Sequence, residues 1–410
     1  MYKLKFPLSK QDKNTSWYER IVRCFLLANR LKNVKFLTYD QMVVNLKKKN
    51  LEITDKKLAI ELIKARGYYN LVNRYKNHVY NRDNHYPNHT HLTDLFLFQT
   101  MESDLQDILF QATINFEHRF KESMAHTLST QLGISEADYL DPLRFNKRKF
   151  NKAIKITAFL LDIAYHTDKN PTRYYRKNYD CIPPWILLNN ITLGQARMLF
   201  SIFNPEMTTK VTSSMLPIEA AKEPSLIVGK TGVDTLAIKQ LYEEGYGDIF
   251  GMFHQQADQE IQEINTAYKK NFDDITNLFK NMLSIIHDFR NNLAHGNGVF
   301  DFHSRAALQL SSLRLFVPKL VITDQEFNKN FGKNDLLSFM FSLVITMDKY
   351  DTLNFLKHLK DWRNNNCSTL DRENALHLFL QGLNLPTNFI GRLEKVKTEM
   401  TMEQLRDQMP

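Results

Sequence analysis

Two long runs of apolar side chains spaced three or four residues apart constrain this chain more than any other feature. The first runs from Thr93 to Leu132 and carries Leu95, Phe98, Leu105, Leu109, Ile114 and Phe116. The second runs from about Asp258 to Leu293 and carries Ile261, Ile264, Phe272, Ile275, Leu278, Met282, Ile286 and Phe289. Such spacing gathers apolar groups on one face of a helix, which must bury that face against other helices. Strand-like alternation is scarce, and only 13 glycines and 12 prolines punctuate 410 residues, so the reading is all-α. A chain this long has material for two or three packed units. The expected division is a helical N-terminal region at 1–92, a bundle at 93–302 with an irregular insertion near 205–232, and a helical C-terminal region at 303–410.

Local signals fill in the rest. Ser16 to Lys32 reads as a basic amphipathic helix. Thr38-Tyr39-Asp40-Gln41 has capping-box form and starts a helix to about Lys49, and Asp55 to Ala65 supplies another before Gly67. Further helices are expected from about Asn146 to His166, after Pro183-Pro184, from about Asn334 to Trp362, and from Leu370 to Gly382. The stretch Pro205 to Gly232 lacks clear periodicity and reads as a loop or insertion. Within it, Gly229-Lys230-Thr231 imitates the end of a phosphate-binding loop, but Pro224 stands where that loop needs its first glycine, so nucleotide hydrolysis is set aside.

Composition narrows the partners. An excess of 54 basic over 45 acidic residues, a net charge of +9, fits a polyanionic partner. Cys24, Cys181 and Cys367 are too scattered for a zinc ribbon or a disulfide framework, which fits a reducing cytoplasm. Met1 to Lys13 has no signal-peptide core, and the longest apolar stretch, near Phe339 to Met347, is too short to span a bilayer. No membrane, metal or cofactor is therefore expected.

Two segments interleave basic and aromatic side chains. Arg66, Tyr68, Tyr69, Arg74, Tyr75 and Lys76 form one, and Arg173 to Lys177, with Arg176 between, forms the other. Such surfaces stack bases while holding phosphates. The competing reading of the first is that Tyr68, Leu71, Val72 and Tyr75 share a helical face and pack in the core. His78, His85, His89 and His91 lie in a loop mixed with Asn, Asp and Pro, which reads as solvated rather than metal-binding.

The chemistry-bearing run is Phe289-Arg290-Asn291-Asn292-Leu293-Ala294-His295-Gly296-Asn297-Gly298. A guanidinium and an imidazole suffice to cleave RNA, which carries its own nucleophile in the 2′-hydroxyl. On an ideal helix Arg290 and His295 lie ~7.5 Å apart along the axis and ~140° around it, so a helix stop at the glycines is needed to bring them round. In the competing reading Arg290 pairs with an acid such as Asp288, and His295 meets free carbonyls at the helix end. Glu117, Arg119 and His126 are possible accessories; Arg119 and His126 share a face ~10 Å apart.

These segments together resemble the abortive-infection proteins of the AbiD/AbiF type, bacterial anti-phage factors, over roughly Phe36 to Pro386. The resemblance rests on Leu37 to Gln41 with Leu46, Ile53 and Ala59, on Gly67-Tyr68-Tyr69, Phe116-Glu117 with Arg119, and the Gly133 to Asp141 turn. It continues through Pro183-Pro184-Trp185, Thr192-Leu193-Gly194 and Phe289 to His295. The last is similar to the Arg-x4-6-His motif of HEPN ribonuclease domains. The resemblance implies a HEPN-like helical bundle with an N-terminal RNA-binding region, Arg290 and His295 as catalytic residues and Asn291 assisting. It further implies a composite site built by paired domains or a homodimer, and a small structured non-coding RNA that guides or restrains cleavage of a target RNA. Here Gly296-Asn297-Gly298-Val299 follows the motif, where relatives often carry a second histidine and an aromatic stretch.

Overall fold

The computed structural model describes residues 36–79, 83–217 and 273–396. The expected helix at Ser16 to Lys32, the Gly229 turn, residues 218–232 of the insertion and residues 258–272 of the second long run lie outside these. The described residues are helical throughout, and their only β pairing is one isolated bridge between Glu52 and His91. They fall into two compact units, Met1–Thr93 and Asp94–Pro410.

In the first unit, α1 (Tyr39–Lys48) starts with the anticipated capping box: the Thr38 hydroxyl accepts from the Gln41 N–H, and the Gln41 side chain accepts from the Thr38 N–H. Asp55 caps α2 (Lys56–Arg66) by accepting from Lys57 and Leu58 N–H groups, and Gly67, at φ +79°, ends it in a conformation that suits glycine. A π-helical turn, Tyr69–Asn73, follows. It carries Leu71 and Val72 inward, and Tyr75 just beyond is completely buried. Tyr75 is therefore a core residue, which corrects its assignment to an RNA-stacking surface. Tyr69 remains 70 % exposed. In the histidine loop, Glu52 meets His89 at 3.2 Å and His91 at 3.5 Å.

The second unit begins with the long helix α3 (Leu92–Gln131), whose first turn holds the boundary between units. It is followed by α4 (Phe150–His166), α5 (Thr172–Tyr179), α6 (Pro184–Asn189), α7 (Leu193–Phe200) and α8 (Pro205–Met215), with α4 packed against α6 and α7. The second long run is helical over residues 273–294, here α9. Then come α10 (Leu336–Thr346), α11 (Lys349–Asn366), α12 (Leu370–Gly382) and the short α13 (Phe389–Leu393). No described helix is long and apolar enough to cross a membrane.

Two expectations are corrected. Pro205 to Met215 is a regular helix rather than the start of an irregular insertion: Asn204 caps it, Pro205 sits in its first turn, and Met207, Val211 and Met215 bury one face at four-residue intervals. The helix expected from Asn334 to Trp362 is two. Met347 is extended, and the Asp348 carboxylate accepts from the N–H groups of Tyr350 at 2.8 Å and Asp351 at 3.0 Å, starting α11 afresh.

Aromatic rings fill the centre. The Phe120 ring of α3 lies 5.9 Å from Phe116, 5.6 Å from Phe200 of α7 and 6.0 Å from Phe279 of α9. Phe289 of α9 stacks on Phe339 of α10 at 4.5 Å, and Trp362 of α11 donates its indole N–H to the Met101 carbonyl of α3 at 3.1 Å. These contacts carry one packed unit across residue 302, where a boundary was expected. Phe120→Ala removes a fully buried ring and is expected to lower stability by about 3–5 kcal/mol. The check is urea unfolding of the second unit against Tyr69→Ala, an exposed site where little change is expected.

Candidate functional site

The sequence Glu117-x3-Lys121 sets a carboxylate and an ammonium one helical turn apart on α3, and both are buried there. Glu117 Oε1 pairs with Lys121 Nζ at 2.7 Å, and Lys121 also donates to the Ile191 carbonyl before α7. The other oxygen, Oε2, faces Arg290 Nε of α9 at 3.5 Å. Arg290 thus pairs with Glu117, not with Asp288 as the competing reading of the sequence had it. Both Glu117 Oε2 and Arg290 Nε are buried without a hydrogen bond, so attraction between charges alone holds them. Arg290 retains 24 % exposure of its side chain, Glu117 only 8 %.

Asp288 serves the loop beyond α9. Its Oδ2 accepts from the Ser304 hydroxyl at 2.8 Å and the Arg305 N–H at 3.3 Å. Burial raises its pKa, but hydrogen bonds from His287, Ser304 and the Arg305 backbone together outweigh that and hold it below the ordinary value of 3.8. His287 Nδ1 lies 3.5 Å from Asp288 Oδ1, and Asn291 Nδ2 lies 3.1 Å from His287 Nε2. With the amide donating, the imidazole carries its hydrogen on Nδ1. Asn291 is therefore tied to the preceding turn, on the α7 side, while Arg290 turns to α3.

The helix stops where the glycines predict. Helical residues end at Ala294, the Gly296 N–H donates to the Leu293 carbonyl at 2.9 Å, and Gly296 has φ +65°. The Asn292 amide donates to the Gly298 carbonyl at 2.7 Å, folding the exit back on the helix. Two side chains of α3 anchor it: buried Glu102 accepts from the Val299 N–H at 2.7 Å, and Gln106 donates to the Asn297 carbonyl at 3.1 Å. His295 stands exposed at this end. Among the described residues no hydrogen bond or ion pair joins its ring to Arg290.

The accessory candidates separate. Glu117 belongs to the site through Arg290. Arg119 donates to the carbonyls of Thr346 at 2.9 Å and Ser214 at 3.0 Å, near the C-terminal ends of α10 and α8, where a cation is favoured. His126 is exposed and lines a shallow cleft with Ser123, Thr209 and Lys210. Of the second basic-aromatic segment, Arg176 donates to the carbonyls of Ala164 and Thr167 and so closes the end of α4. These bonds give it a structural role at that helix end. Arg173 and Lys177 are exposed beside Tyr174 and Tyr179, which are 53 % and 62 % exposed with ring centroids 6.1 Å apart. In the first unit Arg66 and Lys76 are exposed, Tyr68 is half-buried, and Arg74, also half-buried, donates to Asn70 at 3.0 Å.

Sequence reasoning missed Lys121 and the His287-Asp288 pair. The first had a signal in its four-residue spacing from Glu117, the second in its position directly before Phe289. Neither announced burial or its partners across the bundle.

Residues 61–233 match the Abi-like protein family. That range contains Glu117, Arg119, Lys121 and His126 and stops before Arg290. The searches of curated proteins and of solved structures gave no match.

Glu117→Ala leaves two cations facing each other without their carboxylate and is expected to cost about 3–5 kcal/mol, whereas Arg290→Ala leaves Glu117 neutralised by Lys121 and costs clearly less. Denaturant unfolding of the two variants checks the order. Because the folded pKa of Asp288 is depressed, its stabilisation is complete above the ordinary value of 3.8 and is lost as pH falls through the lower folded value. Asp288→Asn is expected to flatten the acid limb of stability against pH, measured by thermal unfolding between pH 2 and 6.

Proposed function

We propose that this Abi-like chain acts in phage defence by abortive infection as a HEPN-type endoribonuclease, with Arg290 and His295 as its reacting side chains. The observation that carries the reading is the end of α9, where the helix stops at Ala294 and leaves His295 in solvent beyond a guanidinium already fixed by Glu117. A charged group held in position before substrate arrives costs no reorganisation when negative charge builds up on the phosphate.

In the reaction, His295 removes the proton of a ribose 2′-hydroxyl as that oxygen attacks the adjacent phosphorus. The bond from phosphorus to the 5′-oxygen breaks, and the leaving oxygen takes a proton. The products are a 2′,3′-cyclic phosphate and a 5′-hydroxyl. Arg290 stabilises the crowded anionic phosphate, and Asn291 assists by bracing that turn of the helix through His287. In a homodimer the second copy's His295 supplies the acid. Arg66, Tyr68, Tyr69 and Lys76 in one unit, and Arg173 and Lys177 beside exposed Tyr174 and Tyr179 in the other, suit phosphate contacts and stacking to a structured RNA. A bound non-coding RNA of that kind would control cutting.

The second reading is a non-catalytic RNA-binding defence scaffold, favoured by the commitment of Arg290 to a buried ion pair. Incubation of purified protein with RNA in chelator separates the two. Cyclic-phosphate ends are expected from the wild type, with losses of about 10²–10⁴-fold in His295→Ala and a comparable loss in Arg290→Ala at unchanged secondary structure. Intact RNA with wild-type protein, after any co-purified RNA has been stripped, leaves the scaffold reading.

A further inference from the structure

A cleft of about 500 Å³ opens between the start of α4, the end of α7 and the middle of α9. Lys149, Lys152, Arg197 and Lys280 line it, and among the described residues Asp273 is the one carboxylate there. Lys149 donates to the Ser201 carbonyl at 2.7 Å and Arg197 to the Ser284 hydroxyl at 3.1 Å. Those neutral partners fix the side chains and leave their charge unbalanced. Among the described residues none of the four cations is in an ion pair. Like charges gathered by the fold repel one another, a cost that a polyanion in the cleft relieves. Burial lowers the pKa of Lys280, and the charge of Lys149 lowers it further against the opposing pull of Asp273.

The cleft also points somewhere. Lys280, Ser284, His287 and Asn291 follow one another on α9 at steps of four, three and four residues, within roughly 60° around the axis. Helix α7 runs against this face. Arg197 bonds to Ser284, and a Cβ at Gly194 would stand only 2.9 Å from His287 Nε2, so glycine is what lets the helices approach. From Lys280 to Asn291 the face spans ~16 Å.

We propose that this cleft binds the phosphate backbone of a single RNA strand, which continues over the surface toward the exposed end of α9 at His295, reading charge rather than sequence. The inference rests on the ribonuclease reading. Full-length His295→Ala protein, stripped of bound RNA, is titrated with a fluorescein-labelled single-stranded RNA across a range of salt. The same protein carrying Lys152→Gln and Lys280→Gln is expected to bind on the order of tenfold more weakly at 0.1 M salt. Its plot of log affinity against log salt is expected to be shallower by roughly 1.4, about 0.7 for each lost phosphate contact. Lys152→Arg with Lys280→Arg is expected to restore both, and equal thermal midpoints exclude misfolding.

Unchanged affinity and slope in the Gln variant overturn the cleft while leaving cleavage by the wild type to stand on its own. Displacement of the RNA by low-millimolar adenosine monophosphate or inorganic phosphate, with a normal salt slope, overturns it in favour of a small phosphate ligand. RNA that binds with the expected slope but is never cut by the wild type sinks the ribonuclease reading and keeps the cleft as an RNA-binding surface. Absence of RNA binding in any form overturns both.

Discussion

A single buried carboxylate ties α3 to α9 in the second unit. Glu117 reaches Lys121 on its own helix and Arg290 on α9, and through Lys121 it is linked to the Ile191 carbonyl ahead of α7. Charges taken out of water are tolerable only in such mutually neutralising groups, so the position of Arg290 follows from the packing of α3 and not from local helix preference. The same helix supplies Glu102 and Gln106 to the backbone beyond α9, and Trp362 and Asn115 tie α11 to it from another side. The C-terminal end of α9 is thereby specified from outside α9.

This arrangement gives Arg290 a structural role beside the chemical one proposed for it. Arg290 owes its orientation to Glu117, yet it keeps partial exposure on a helix whose last turn opens to solvent. Asn291 faces the other way, toward His287, whose close fit against Gly194 fixes the spacing of α7 and α9. Ser284, His287 and Asn291 on this face of α9 are thus held by neighbours.

Much of the fold is legible in the sequence. Thr38, Asp55, Pro184 and Gly67 mark ends that the structure reproduces, because capping and left-handed turns are local chemistry. Leu370–Gly382 and the long helix from Leu92 follow from apolar spacing alone. The misses share a cause. The helix Pro205–Met215 buries Thr208 and Thr212 among its apolar residues, which blurs its stripe, and the break at Asp348 interrupts a pattern whose apolar spacing runs straight through it. At the site, Arg290 and the stop at Gly296 are readable, while its pairing with Glu117 joins residues far apart in the chain and needs the tertiary fold. Tyr75 looks like an RNA contact in sequence because composition does not record which way a side chain turns.

Helix α10 has every residue buried, and its hydroxyls from Ser338, Ser342 and Thr346 are returned to backbone carbonyls three or four residues back. Phe289 stacks on this helix and Arg119 closes onto its last carbonyl. During synthesis, then, the motif at residues 290–295 leaves the ribosome before the helix that supports it. A partly made chain therefore carries residues 290–295 before Phe339, the ring on which Phe289 stacks, has been made.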